Sequence, residues 1–98
     1  MIKHVVLFKP KTIVTEAQAS AAGAAFRNLV GVVPGLLDCA WGANISPEGR
    51  SKGFTHGFVM TFADVASRDG YLPHPGHKEA GSTLREWIDD VFVFDFEY

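Results

Sequence analysis

Residues 70 to 80 read GYLPHPGHKEA and gather Tyr71, His74 and His77 around two prolines. A neutral imidazole in a pocket is a general base, so this stretch raises the question of proton transfer. Pro73 and Pro75 bias Leu72 and His74 away from helical angles, and a kink is expected between Tyr71 and His77. Pro75 suits the first position of a helix. His77 then falls in the first turn, where unpaired backbone N–H groups concentrate positive potential. His77, Gly81, Leu84 and Ile88 form one stripe at helical spacing, so the His77 ring is expected to face a sheet. His74 belongs to the kink, where a local role is expected, and Tyr71 approaches from the other side of it.

The other two histidines, His4 and His56, read as strand residues. If their faces are the helix-covered ones, all of the histidines lie near one end of one pocket. The alternative is that each is a core histidine bonded to a carbonyl. A metal site using His74, His77 and a strand histidine is disfavoured, because His74 and His77 straddle the kink and no carboxylate obviously joins them.

The elements that must carry these residues follow from periodicity. Ile2 to Lys9 is rich in β-branched residues and stops at Pro10, which predicts a first strand. Thr15 with Gln18 makes a capping box. The helix it opens is expected to run to Val33, with Ala22, Phe26, Leu29 and Val33 on one stripe and Pro34 and Gly35 ending it. Leu36 to Ile45 and Phe54 to Phe62 read as strands joined by the polar stretch SPEGRSKG. Asp64 caps a short helix to about Tyr71, a last helix spans roughly Pro75 to Ile88, and Val91 to Glu97 alternates as a final strand. With right-handed crossovers this order predicts an α+β, ferredoxin-like βαββαβ fold, a four-stranded antiparallel sheet with helices on one face. Residues 1–98 are expected to form one domain.

Strand faces bear on assembly. Phe54, His56, Phe58, Met60 and Phe62 share one face of their strand and Val59 takes the other, while Val91 and Val93 oppose Phe92, Phe94 and Phe96. Helices cover one face only. Two sheets packed face to face across a two-fold axis are therefore expected, giving a homodimer, with loops folded over a monomer's open face as the alternative.

Composition excludes several classes. The chain has 98 residues, 47% of them apolar, and a formal net charge of -2 without a run of like charge. Neither nucleic acid nor an anionic membrane is an expected partner. KGFTHGFVMTF resembles an RNA-binding RNP1 strand, but Thr55 and His56 break the octamer and no partner RNP2 pattern is present. A lone Cys39 excludes an intrachain disulfide and is expected to be a buried thiol. No apolar run is long enough for a signal peptide or a membrane span, so a soluble, cytoplasmic protein is expected.

Taken together, His4 in IKHVVLFK, Pro34 and Gly35, WGANIS, FTHGFVMTF with His56, YLPHPGH and the terminal FDFE resemble the stress-responsive A/B-barrel (Dabb) family of dimeric α+β barrels, over essentially the whole chain. The resemblance implies a pocket between sheet and helices. It implies Tyr71 and His77 as an acid/base pair, as in a plant polyketide cyclase of that family, with His4, His56 and His74 as ligand-binding candidates. The chemistry implied is proton abstraction next to a carbonyl, with the phenol holding the developing oxyanion, on a small carbonyl compound and with no metal or organic cofactor. Small Ala22 and Gly23 with bulky Phe58 and Met60 point to a pocket of its own shape. The rival reading is a non-enzymatic ligand-binding or stress-responsive barrel in which the histidines are structural.

Overall fold

The pleat of the first strand decides which residues go inside. In the computed structural model, which describes residues 1–98, the elements run β1 (Ile2–Pro10), α1 (Glu16–Arg27), β2 (Leu36–Ala43), β3 (His56–Phe62), α2 (Val65–Tyr71), α3 (Pro75–Ser82) and β4 (Ile88–Glu97). They build a 4-stranded sheet of order β2-β3-β1-β4 in which every neighbouring pair is antiparallel. This is the expected ferredoxin-like arrangement. Ile2, His4, Val6 and Phe8 alternate onto the helix-covered face and are all buried.

From β3, Phe58, Met60 and Phe62 join them, and Phe26, Leu29 and Val33 close over the top. The rings of Phe26 and Phe58 lie 4.7 Å apart. Each such side chain taken out of water contributes on the order of 2–3 kcal/mol before its ordering entropy is subtracted. No helix is long and apolar enough to cross a membrane.

The helices are shorter than the periodicity predicts, and their ends explain why. Thr15 does form the capping box, with Gln18 N–H donating to its Oγ1 at 3.1 Å and its own N–H donating to Gln18 Oε1 at 3.0 Å. The helix nevertheless stops at Arg27 and not Val33, because Gly31 takes a left-handed φ of 89° and the chain turns there. The apolar stripe survives the break, since Leu29 and Val33 are carried inward by turns. α3 ends at Ser82 and not Ile88. Beyond it, the N–H groups of Thr83, Leu84 and Arg85 each bond three residues back, and Ile88 is drawn into pairing with Pro10 as the start of β4. The strand ends are also trimmed, at Ala43 for β2 and at His56 for β3.

The face away from the helices is open. Leu7, Val59, Phe92, Phe94 and Phe96 lie on it, all exposed, Phe94 to 55%.

Two glycines are fixed by contact. Gly35 has a φ of 80°, and a Cβ there would collide with the side chain of Ser67. A Cβ on Gly23 would meet the Trp41 ring at 2.6 Å, where that ring stacks on Phe26 at 6.4 Å. Helix propensity alone favours alanine at position 23 by about 1 kcal/mol. The clash outweighs it, so Gly23→Ala is expected to lose about 1–3 kcal/mol of stability in urea denaturation, as overpacked cores do; equal or greater stability would show that Trp41 is free to move.

Candidate functional site

Between the sheet and the helical layer lies a cavity of about 500 Å³. Its sheet wall includes His4, Val6, Val91 and Val93, which the β1 and β4 pleats place on one face. His77, Gly81, Leu84 and Ile88 form the facing wall. The stripe expected of one long helix is therefore present, although only its first half is helical.

The kink is as expected, and its parts have separate jobs. His74 is the N-cap of α3: its Nδ1 accepts from the N–H of Gly76 at 2.9 Å, satisfying a donor the helix leaves unpaired. It does not line the cavity. His77, two residues into the helix after Pro75, bonds through Nδ1 to the carbonyl oxygen of Leu72 at 2.8 Å. A carbonyl only accepts, so Nδ1 carries the proton, and the neutral ring is the tautomer with a free lone pair on Nε2.

Tyr71 packs its ring 4.5 Å from that of His77 and 5.8 Å from that of His4, and it is completely buried. Its hydroxyl is the one buried side-chain polar atom without a hydrogen-bond partner, and it is sealed from the cavity space. Burial, and to a lesser degree Cys39 nearby, pushes the phenol well above its ordinary range. It is a hydrogen-bond donor and not a phenolate. Cys39 is buried as well, its thiol pushed up to about 11 by burial first and Asp38 second.

His4 is held by side chains that sequence reasoning did not single out. Its Nδ1 faces Asp95 Oδ1 at 2.6 Å across the β1–β4 ladder. The other oxygen of Asp95 accepts from Arg68 at 2.6 Å, and Arg68 Nε donates to Asp69 at 2.8 Å. A signal for Asp95 was available: in VFVFDFE it alternates with Phe94 and Phe96, so it shares the covered face with Val91 and Val93. For Arg68, on a short helix, the sequence carries no comparable mark.

The structure separates His56 from the cavity that holds His4 and His77. Antiparallel pairing sets His56 opposite Phe8, at the far end of β1 from His4, so the four histidines do not converge. His56 instead stacks on Trp41 at 5.9 Å, meets Trp87 edge-on at 6.4 Å, and opens to a different depression of about 590 Å³ bordered by Arg50 and Lys52.

A sequence profile for the Stress responsive A/B Barrel Domain matches residues 2–98. Olivetolic acid cyclase of Cannabis sativa is 30% identical over 95 residues, which cover 97% of this chain and 94% of the relative. A dimeric ferredoxin-like protein from Jannaschia superimposes with a TM-score of 0.85 at 30% identity, covering 99% of this chain and 98% of its own. Hydroxynitrile lyase from Passiflora edulis gives a TM-score of 0.83 at 25% identity, covering 97% and 90%.

The aromatic setting of His56 has a measurable consequence. Burial lowers its pKa from the ordinary 6.5, so the folded protein binds fewer protons than the unfolded chain once pH falls below that value. Its neutral-ring contribution is complete above pH 6.5 and is lost as pH falls through the depressed folded value. Thermal melts of the wild type and His56→Gln, compared from neutral pH downward, should show a steeper loss of Tm on acidification in the wild type; parallel curves would remove this role.

Proposed function

The chain belongs to the stress-responsive A/B barrel (Dabb) family, and from that premise we propose that it is a small-molecule enzyme. It performs acid/base chemistry on a carbonyl compound in the cavity beside His77. The observation that carries this reading is the bond from His77 Nδ1–H to the Leu72 carbonyl, which leaves Nε2 as a base on a wall that is otherwise largely apolar. A carbon acid seated there loses its proton, with the C–H electron pair moving into an enolate, and His77 holds the proton as imidazolium.

Tyr71 supplies the donor once the side chains that close its hydroxyl off from the cavity give way to a bound ligand. An unmade hydrogen bond on a buried hydroxyl costs on the order of 1–3 kcal/mol, and an oxygen seated between Tyr71 and His77 recovers it as negative charge develops. That the relatives include a cyclase and a lyase supports a carbon-acid substrate class over other chemistry. The cavity's lining favours a mainly apolar molecule with one or two carbonyl oxygens.

The open sheet face supports a homodimer built by packing two sheets together, as expected for a patch that carries Phe92, Phe94 and Phe96. The description of the Jannaschia neighbour as dimeric agrees with it.

Two measurements test these readings. In heavy water, deuterium uptake at the methyl carbons of acetylacetone should fall roughly 100-fold or more in both His77→Ala and Tyr71→Phe, on the scale of a lost general base and a lost oxyanion donor. Equal rates in all three proteins, with the ligand still bound, would leave the non-enzymatic barrel as the better reading. Light scattering should give the mass of two chains for the wild type and of one chain for Phe94→Asp; a wild-type monomer would overturn the sheet-to-sheet packing.

A further inference from the structure

Proton abstraction at His77 accounts for one proton, and an aldol-type or lyase reaction moves a second. We infer that His4 is the residue that delivers it, with Asp95 orienting and supporting its ring and Arg68 holding Asp95 in place. The inference rests on the reading of the cavity as a site for carbonyl chemistry and adds a second proton carrier to it.

The geometry assigns the roles. His4 is buried, and its Nδ1 is engaged by Asp95 at 2.6 Å. Its other ring nitrogen, Nε2, has no protein partner, and it is not among the polar atoms sealed from solvent-sized space. His4 lines the cavity, so Nε2 is the nitrogen open to a ligand there. The cavity therefore holds two imidazoles on facing walls, each tied through Nδ1 and free at Nε2.

What stands behind each Nδ1 separates them. A proton placed on His4 Nε2 makes a cation that faces a carboxylate; the same proton on His77 faces only a neutral carbonyl. Hydrogen bonds between ionised partners are roughly twice as strong as neutral ones. The carboxylate behind His4 thus supports the cationic ring that can donate from Nε2, while the carbonyl behind His77 fixes the tautomer whose Nε2 lone pair is free to accept a proton from carbon.

Arg68 does not cancel this support. It shares its guanidinium between Asp95 and Asp69, so one cation stands against two carboxylates and the cluster retains a negative charge for the imidazolium to meet. Its main effect is geometric, because a bond to one carboxylate oxygen fixes the direction of the other.

The cycle balances. His77 Nε2 takes the proton from carbon, and the C–H electron pair forms the enolate. The enolate carbon attacks a second carbonyl of the same ligand, a C–C bond forms, and the C=O π pair becomes an alkoxide. The alkoxide takes the proton from His4 Nε2. His77 then holds one proton too many and His4 one too few, and solvent transfer from one Nε2 to the other restores the start. The ligand class implied is a compound with two carbonyl groups spaced for ring closure.

The test separates the two protons. Diacetylacetone closes by an aldol step and loses water to give orcinol, whereas deuterium uptake at its methyl carbons needs only abstraction. In Asp95→Asn and Arg68→Gln, ring closure is expected to fall at least 10-fold, more in the first, while methyl deuterium uptake stays within about 2-fold of wild type. Imidazole nitrogen NMR should show Nδ1 of His4 protonated in the wild type and a mixed tautomer in Asp95→Asn, a readout that needs no turnover. Wild-type closure rates in both variants would overturn the role of His4 while leaving His77 as the base. Absence of both uptake and closure in the wild type would overturn the enzyme reading itself. A fall of uptake and closure together in Arg68→Gln, which substitutes a part-exposed side chain, would also count against separate roles.

Discussion

The two-residue period of β1 is the constraint on which the site depends. β1 lies between β3 and β4, so its pleat is locked from both sides, and a slip of one residue would turn Ile2, His4, Val6 and Phe8 out to the open face. Three of those side chains are held under the helices by apolar burial. His4 is held there with them, and it is the apolar neighbours that commit the imidazole to the cavity. The cross-strand register then delivers Asp95 to it without any further requirement, because the residue opposite His4 on β4 must share its face.

The second wall depends on the prolines. Pro73 stops α2 from continuing past the turn, and Pro75 starts α3 at a position whose N–H would be unpaired in any case. His74 completes the turn by capping Gly76, and the carbonyl of Leu72 is left within reach of His77 Nδ1. One short segment thus sets both the direction of the His77 ring and its tautomer. Had the chain continued as one helix, the Leu72 carbonyl would have bonded a backbone N–H, and His77 would have had no fixed partner.

Much of this was legible in the sequence where a single physical rule decided the outcome. The alternation of β1, β3 and β4, the capping box at Thr15, the proline kink and the inward stripe from His77 to Ile88 each rest on one local rule, and the order of elements made a ferredoxin-like sheet the natural assembly. Helix ends were not legible. Arg27 and Ser82 are terminal because Gly31 turns the chain and because Ile88 is claimed by a strand, and both are tertiary outcomes. His56 was misplaced for a related reason: strand phase gives the face, but only the register gives the distance along it, and pairing with Phe8 puts it beyond reach of His4. Asp95 could be phased from its aromatic neighbours, whereas Arg68 could be assigned only once α2 was seen to pass over β4's partner.

The unpartnered Tyr71 hydroxyl shows how stability and chemistry are set against each other here. Phenylalanine at that position would keep the contacts with Phe62, His4 and His77 and would remove a buried donor that nothing satisfies. On folding energetics alone it is the better residue, by the cost of one unmade hydrogen bond. His4 differs, because its polarity is fully met on one nitrogen by Asp95 and left open on the other toward the cavity. Tyrosine at 71 therefore makes physical sense as a group whose partner comes from outside the chain. The same burial that raises its ionisation keeps the proton on oxygen, so what it offers such a partner is a donated hydrogen bond.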